Sequence, residues 1–282
     1  MNNDIAKYIN DIAITYRNRN IKKYNAYRYA AWILMNTNER FNSGEKAKYK
    51  LMGIGTRISH KITQYLLTIN PIQTREILKL LEIPFVGPIT AERLYNEGIT
   101  MTNIMNHRDI LTKQQKIGLI YMKDLNILIP RSETNIHNNY LKTILSNYDV
   151  MVLGGFYRGD LYSHNIDVAI ISRDENVMKK IVTLLLNKHY IIDIFSLGKK
   201  RMLAVVKLNN LNYRRLDINI FPIRHLGMLY LIGNANNTIM MRNEAKEKNM
   251  KLTDKEFTLP TNSDRDVYRL LSLQYKKPKN RL

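Results

Sequence analysis

Three polar residues on two strand-like segments are the best candidates in this sequence for binding a metal ion. Asn165 and Asp167 alternate with apolar residues, and Asp217 alternates in the same way within residues 215–220. Because successive side chains of a strand point to opposite faces, Asn165 and Asp167 would share one face of their strand. Pairing the two strands would bring both carboxylates and the amide onto one surface.

A divalent cation would stabilise such a cluster, since neighbouring carboxylates repel one another and hard oxygen ligands suit Mg²⁺. Gly154 and Gly155 come shortly before the cluster, where glycine lets backbone N–H groups approach a triphosphate. Arg158 adds a neighbouring positive charge. The segment indicates a metal and triphosphate site, although each aspartate taken alone is more typical of an exposed strand residue.

Two glycine-containing turns, 32 residues apart, are the second feature that could do chemistry. Gly53 and Gly55 precede one apolar helical pattern, and Gly87 precedes another. Both turns resemble helix-hairpin-helix motifs, in which the N–H groups of a helix N-terminus point at a DNA phosphate and read no base. Phe85 stands where the first copy has Gly53, which predicts a looser phosphate cradle in the second copy.

The charge of the chain indicates a polyanionic partner. The 282 residues include 44 Lys and Arg against 24 Asp and Glu, a formal charge of +20. Nucleic acid is the first expectation and an anionic membrane surface the second. Cysteine is absent, which excludes disulfide scaffolds, cysteine zinc fingers, Fe–S clusters and thiol catalysis, and fits a reducing intracellular compartment. Neither a signal peptide nor a membrane-spanning run is expected.

The order of elements predicts an α+β multidomain fold. Residues 1–68 and 72–129 have helical periodicity, with a break at Asn70-Pro71. Strands are then predicted at the following short apolar runs: 150–153, 166–171, 204–208 and 216–221. Trp32 and the tyrosines other than Tyr230 are expected to pack in the core and between helices.

The segment GGFYRGDLYSHNIDVAI, residues 154–170, resembles the G-[GS]-x-x-R-G…D-x-D signature of the nucleotidyltransferase palm in family X DNA polymerases. The resemblance continues in order along most of the chain, in KYNAYRYAA (23–31), GIGTRISHKI (53–62), VGPITAERLYNEGI (86–99), TKQQKIGLIYMKDL (112–125), IPRSE (129–133), YRRLDINIFP (213–222), LGMLYLIGNANNTIMMRNEA (226–245) and YKKPKNRL (275–282). It implies four parts: a helical 5′-deoxyribose-phosphate lyase-like domain (1–70), a helical DNA-binding subdomain with the second helix-hairpin-helix motif (71–131), a palm (132–222), and a small α/β subdomain for the nascent base pair (223–282).

By this resemblance, two Mg²⁺ ions, replaceable by Mn²⁺, would be held by Asp167, Asp217 and Asn165. The family has a third carboxylate where this sequence has Asn165, and an amide brings no charge to two close cations. Polymerisation slower by orders of magnitude is expected, whether the asparagine is engineered or natural.

The resemblance also implies a nucleotide-binding set and a DNA-binding set. The residues implied to bind the nucleotide are Arg131, Gly155, Arg158, His164, Tyr230, Gly233, Thr238 and Arg242. His164 replaces a glycine, Thr238 an asparagine that contacts the incoming base, and Leu231 an aromatic residue, so lower base-pair discrimination is expected. The residues implied to bind DNA are Lys22, Lys23, Tyr27, Gly53, Gly55, Arg57, Gly87 and Arg215, with a monovalent cation expected at the hairpins.

Lys61 is implied to be a lyase residue that forms a Schiff base with the sugar aldehyde before β-elimination. The function expected from the resemblance is a gap-filling polymerase and lyase of base excision repair. It would be a monomer without proofreading that acts on gapped or nicked DNA and dNTPs, with DNA ligase or other repair proteins as partners. A catalytically silent gapped-DNA binder and a lyase-only repair protein are the alternatives. Nucleus, cytoplasm and viral factory all stay open as the location.

Overall fold

The computed structural model describes residues 2–233 and 235–281 of the chain. Asn234 and Leu282, which belong to two of the segments that resemble the family, lie outside the described residues. The chain divides into two compact units, Met1–Ile120 and Tyr121–Leu282. A helical first unit followed by a sheet-containing second unit confirms the predicted α+β class, while the finer division into four parts stays a prediction.

The first unit is helical. Its elements are α1 (Asn2–Tyr16), α2 (Ile21–Met35), α3 (Gly44–Lys50), α4 (Thr56–Ile69), α5 (Pro71–Leu81), α6 (Pro88–Asn96), a 3-10 helix (Ile104–Ile110) and the start of α7 (Lys113–Leu125). Asn20 caps α2 and Ser43 caps α3, since each side chain accepts a hydrogen bond from a backbone N–H of the first turn. The predicted break is present, because α4 ends before Asn70 and Pro71 begins the next helix.

Trp32 is a correction to the sequence-based expectation. Its side chain is 59 % exposed, and that of Tyr29 is 52 % exposed. The buried positions of α2 are Tyr27, Ala30, Ala31 and Leu34. They form the single stripe that packs on α1, so the positions of Tyr29 and Trp32 fall outside it.

The described residues of the second unit form a five-stranded sheet in the order β2-β4-β7-β6-β5 and a separate β1-β3 pair. The strands are β1 (Ile129–Pro130), β2 (Asp149–Val152), β3 (Tyr162–Ser163), β4 (Ile166–Ile171), β5 (Ile191–Leu197), β6 (Arg201–Val206) and β7 (Arg214–Phe221). β4 and β7 are parallel, and the other neighbours in this sheet are antiparallel. The predicted strands are present within a few residues, but the sequence pattern does not predict β5.

The helices of the second unit are α8 (Arg131–Ile144), α9 (Gly154–Arg158), α10 (Val177–Asn187), α11 (Arg224–Ile232), α12 (Ala235–Glu247) and α13 (Asp264–Leu270), followed by a 3-10 helix (Pro278–Asn280). Ile166, Val168 and Ile170 of β4 are fully buried in a core with residues of α8 and α10. Asp167 lies on the opposite face of β4. Within residues 2–233 and 235–281, no helix is long and apolar enough to cross a membrane.

Candidate active site and nucleic-acid interface

The two predicted carboxylates lie side by side in the sheet. In the parallel pairing of β4 and β7, Asp167 is the direct partner of Asp217. Asn165, two residues before Asp167, donates a hydrogen bond from its Nδ2 to Asp167 Oδ1 at 2.6 Å. Asp217 is only 4 % exposed. The fold therefore brings all three residues together, as the alternation predicts, and their role as metal ligands stays a prediction.

Two residues that the sequence pattern does not predict complete this cluster. Arg201, at the start of β6, contacts the Asp217 carboxylate with Nε at 3.1 Å and Nη2 at 2.5 Å. Asn219 donates from Nδ2 to Asp217 Oδ1 at 2.8 Å. Asn219 lies two residues after Asp217 and therefore on the same face of β7, which is the signal available for Asn219 in the sequence. Arg201 reaches the cluster because it lies opposite Asn219 in the β6–β7 pairing.

Asp167 has an environment that disfavours its charged form. Burial raises its pKa to about 6, and repulsion from Asp217 adds to this effect. The hydrogen bond from Asn165 and the charges of Arg215 and Arg158 act in the opposite direction. A carboxyl with a raised pKa beside a second carboxylate is typical of functional sites.

Gly154 lets the backbone pass close to Asp167. It has a positive φ of +56°, and a Cβ atom at this position would lie 2.1 Å from Asp167 Oδ2. A side chain here would therefore be strained by its backbone conformation and would displace the carboxylate. Gly155, the next residue, is also crowded, since its Cβ would lie 2.8 Å from Asp160 Oδ2.

The donor set fits a hard divalent cation. It consists of two carboxylates and the amide oxygen of Asn165, and oxygen donors of this kind are the ligands that Mg²⁺ prefers. The guanidinium of Arg201 on Asp217 shows that a positive charge is already stabilised here. Among the described residues, no group of three His, Asp or Glu side chains is placed to hold a metal ion.

A pocket of about 610 Å³ opens beside the carboxylates. Its lining consists of Asp167, Arg201, Asp217, Asn219, Tyr230, Leu231, Gly233, Thr238, Ile239 and Arg242. It therefore contains four of the predicted nucleotide-binding residues, from Tyr230 to Arg242. The Arg242 guanidinium lies 5.7 Å from the centre of the Tyr230 ring, which places a cation and an aromatic face together.

The remaining predicted nucleotide contacts do not line this pocket. Arg158 donates to the carbonyl oxygen of Ile232 at 2.9 Å and pairs with Asp160 at 2.7 Å. Arg131 donates to the carbonyl oxygen of Phe156 at 2.5 Å. These bonds tie Arg158 to the end of α11 and Arg131 to α9. His164 is exposed.

The two hairpins of the first unit have the same backbone shape. Gly53 and Phe85 both have left-handed φ values, +95° and +68°. Gly55 and Gly87, two residues later, are both extended N-caps, with φ of −81° and −90°. The second turn therefore forces phenylalanine into a conformation that favours glycine, while the N–H groups that begin α4 and α6 keep equivalent positions.

Lys61 lies in a second pocket of about 610 Å³. The pocket is lined by Tyr16, Lys23, Tyr27, Thr56, Arg57, His60 and Lys61. Four of these are predicted site residues: Lys23, Tyr27, Arg57 and Lys61. Lys61 Nζ donates to Gln64 Oε1 at 3.0 Å. Lys22, Gly53 and Gly55 line an adjoining pocket of about 470 Å³ that shares Lys23, Tyr27 and Arg57 with the first.

Comparison with known proteins matches both ends of the chain to families. Residues 1–71 match the model of a helix-hairpin-helix domain, and residues 227–282 match the model of the DNA polymerase beta thumb. The chain is 25 % identical to DNA polymerase lambda of Rattus norvegicus over 229 residues, which cover 69 % of this chain and 40 % of the relative. It is 27 % identical to DNA polymerase lambda of Arabidopsis thaliana over 157 residues, 51 % of this chain and 30 % of the relative.

DNA nucleotidylexotransferase of Xenopus laevis is a further relative, 28 % identical over 113 residues that cover 36 % of this chain and 22 % of the relative. The matches cover less than half of the length of each of these three relatives. The two family models frame the sheet that carries Asp167 and Asp217, and the relatives are DNA polymerases and a nucleotidyl transferase. In these parts the chain is therefore similar to the family X DNA polymerases.

Proposed function

We propose that the second unit is a template-directed polymerase that fills short gaps in DNA. The primer 3′-oxygen would bond to the α-phosphorus of a dNTP, and pyrophosphate would leave. The observation that carries this proposal is the pairing of Asp167 with Asp217 on the wall of a pocket that also contains Tyr230 and Arg242. The carboxylates could hold the metal that accompanies a nucleotide, the aromatic ring could contact its base, and the arginine could offset negative charge.

Asp167 and Asp217, with the amide oxygen of Asn165, would hold Mg²⁺ or Mn²⁺. When bound, the metal supplies positive charge to the phosphate and to the primer oxygen. Arg131 and Arg158 would balance the triphosphate charge from their positions around α9.

The other pocket residues would position the base pair. Tyr230 and Gly233 would lie against the nascent pair, and Arg242 would approach the template strand. Thr238 has a shorter side chain than the asparagine of the family, which supports lower discrimination between correct and incorrect bases. A misinsertion assay on a one-nucleotide gap tests this, and fidelity equal to that of family members with the asparagine would contradict it.

Primer extension on a one-nucleotide gap, in Mg²⁺ and in Mn²⁺, tests the polymerase. We expect weak extension that Asn165→Asp increases by orders of magnitude, because a third carboxylate neutralises the metal charge. Asp217→Asn is the matched control, since it removes one carboxylate where Asn165→Asp adds one, and it should abolish the reaction. Equal and negligible rates for the unsubstituted chain and for Asn165→Asp would exclude the polymerase.

A silent gapped-DNA binder is the second candidate, and one observation favours it. Arg201 and Asn219 already occupy the Asp217 carboxylate, so the cluster is held together without metal. Tight binding of gapped DNA together with no extension by either sequence would support this candidate.

The first unit is proposed to be the 5′-deoxyribose-phosphate lyase. The amine of Lys61 would attack the C1′ aldehyde of the open sugar, and water would leave as the imine forms. Loss of a C2′ proton would then break the C3′–O bond and leave a 5′-phosphate on the DNA. Lys23, Arg57 and Tyr27 line the same pocket, which supports binding of a phosphate there.

Borohydride trapping on an incised abasic substrate tests the lyase. A covalent adduct is expected for the unsubstituted chain and its loss for Lys61→Ala. Lys48→Ala is a control for a mere loss of charge, since Lys48 is an exposed lysine of α3 that pairs with Glu45. An adduct that persists in Lys61→Ala would assign the Schiff base to another amine. If the adduct forms but neither sequence extends a primer, the protein is the lyase-only repair protein.

We propose that the protein acts in base excision repair. Gapped or nicked DNA and dNTPs would be its substrates, and the filled nick would be a substrate for a DNA ligase. We propose that the protein acts as a monomer and has no membrane partner. Sedimentation with and without gapped DNA tests the oligomeric state.

A further inference from the structure

Two aromatic side chains of α2 form an exposed pair. The Tyr29 and Trp32 rings are nearly parallel, with 6.1 Å between their centres and 17° between their planes. Each is more than half exposed, although large aromatic side chains usually bury most of their surface. Neither ring contributes to the core of the first unit. The pair is available to stack on a ring from another molecule.

This pair lies beside the first hairpin. A Cβ atom on Gly53 would lie 2.6 Å from Cε1 of Tyr29, so the Tyr29 ring packs directly on the turn. Two residues later, Gly55 caps α4 without a side-chain hydrogen bond to the first N–H groups of that helix. The exposed aromatic pair and the backbone of the first hairpin, which is proposed to bind phosphate, therefore form one continuous surface.

The charge around the hairpin favours a polyanion over a protein as the partner. Lys22, Lys23 and Arg57 line the pocket that adjoins Gly53 and Gly55. In the described part of the chain, no carboxylate pairs with any of these three side chains. Uncompensated cations beside aromatic faces are the combination that binds single-stranded nucleic acid, because the backbone is held by charge and every base has a face to stack.

We propose that Tyr29 and Trp32 are a stacking platform for an unpaired base of single-stranded or gapped DNA whose backbone lies on the first hairpin. A base within a duplex already stacks on both faces, so the platform selects unpaired nucleotides. The inference rests on the DNA binding of the proposed function and on neither of its two reactions.

Trp32 is the single tryptophan of the chain, so its fluorescence reports on this site alone. The full chain is titrated with an oligothymidylate of twelve nucleotides and with a blunt duplex of equal length. We expect quenching by more than half with the single strand and little with the duplex. Equal quenching by both, or none by either while anisotropy of labelled DNA shows binding, would overturn the platform. An absence of any DNA binding would instead overturn the proposed function.

Variants then separate stacking from charge. Trp32→Ala should weaken single-strand binding roughly tenfold, and Trp32→Phe should retain most of it because the ring persists. Tyr162→Ala is the matched control, since Tyr162 is an exposed tyrosine (58 %) of the second unit, and binding should be unchanged. Unchanged binding in Trp32→Ala would contradict the proposal. If Trp32→Ala instead abolishes self-association detected by sedimentation, the pair is a contact between two copies of the chain.

Discussion

Arg201 holds the carboxylate of Asp217 through two guanidinium nitrogens, at 3.1 Å and 2.5 Å. The arginine is on β6 and the aspartate on the adjacent β7, and Asp217 is almost fully buried while Arg201 is more than half exposed. The exposed partner can therefore leave without disturbing the core. A cation from solvent would bind Asp217 in competition with this internal one.

Removing the internal cation should strengthen metal binding. We expect Arg201→Gln to raise the affinity for Mn²⁺ by about three- to tenfold, because an ion pair with one exposed partner is worth about 1 kcal/mol and Mn²⁺ no longer has to displace the arginine. Electron paramagnetic resonance of free Mn²⁺ measures this without catalysis. Arg224→Gln is the control, since Arg224 also pairs through two nitrogens with an aspartate, Asp149, and is equally exposed. Equal affinities in both variants would contradict the competition.

The raised pKa of Asp167, about 6, predicts a pH-dependent cost in stability. The folded state binds the Asp167 proton more tightly than the unfolded state does. The protonated carboxyl therefore contributes its full stabilisation of the fold below about pH 4, and this contribution is lost as pH rises through 6. Asp167→Asn should therefore stabilise the second unit by about 2–3 kcal/mol at pH 8 and by little at pH 4.

Urea unfolding of both proteins at the two pH values measures the difference. His137 titrates in the opposite sense, because burial lowers its pKa to about 4, so its stabilisation is present above pH 6.5 and lost on acidification. Its contribution is common to both proteins and cancels. A variant difference that does not change with pH would contradict the assignment to Asp167.

A comparison of Gly154 with Gly159 tests whether metal binding depends on the close approach of the Gly154 backbone to the Asp167 carboxylate. Both have positive φ, but a Cβ on Gly159 meets nothing within 4 Å among the described residues, whereas one on Gly154 meets Asp167 Oδ2. We expect each alanine variant to lose about 1 kcal/mol from backbone strain. Only Gly154→Ala should also lower Mn²⁺ affinity, by more than tenfold. Equal metal affinity in the two variants would show that the carboxylate can move aside freely.

The alternation of residues in β4 and β7 was sufficient to predict that Asp167 and Asp217 meet, because side-chain period and strand pairing are local rules. Arg201 could not be found in this way, since its ion pair depends on which strand lies next to β7. β5 was missed because bulges near Ile191 and Ile194 break its pairing with β6. The exposure of Trp32 was missed because an apolar helix does not indicate which stripe meets its neighbour.

Among the glycines of the first unit, Gly44 has the least room for a side chain. A Cβ atom there would lie 1.8 Å from the backbone oxygen of Ser59 on α4, so α3 and α4 pack at a distance that only glycine allows. The Gly44 N–H also donates to Thr63 Oγ1 at 3.1 Å. Because a backbone atom cannot rotate away as a side chain does, the two helices would have to separate.

We therefore expect Gly44→Ala to destabilise the first unit by about 3 kcal/mol or more, the upper range for overpacking. Urea unfolding followed by the fluorescence of Trp32 measures it. Gly55→Ala is the matched control, since its Cβ would meet nothing within 4 Å in the described chain and its φ is negative; a change below about 1 kcal/mol is expected. Similar losses in both variants would mean that the helices can move apart at little cost, and the close packing of α3 on α4 would not determine the stability of the unit.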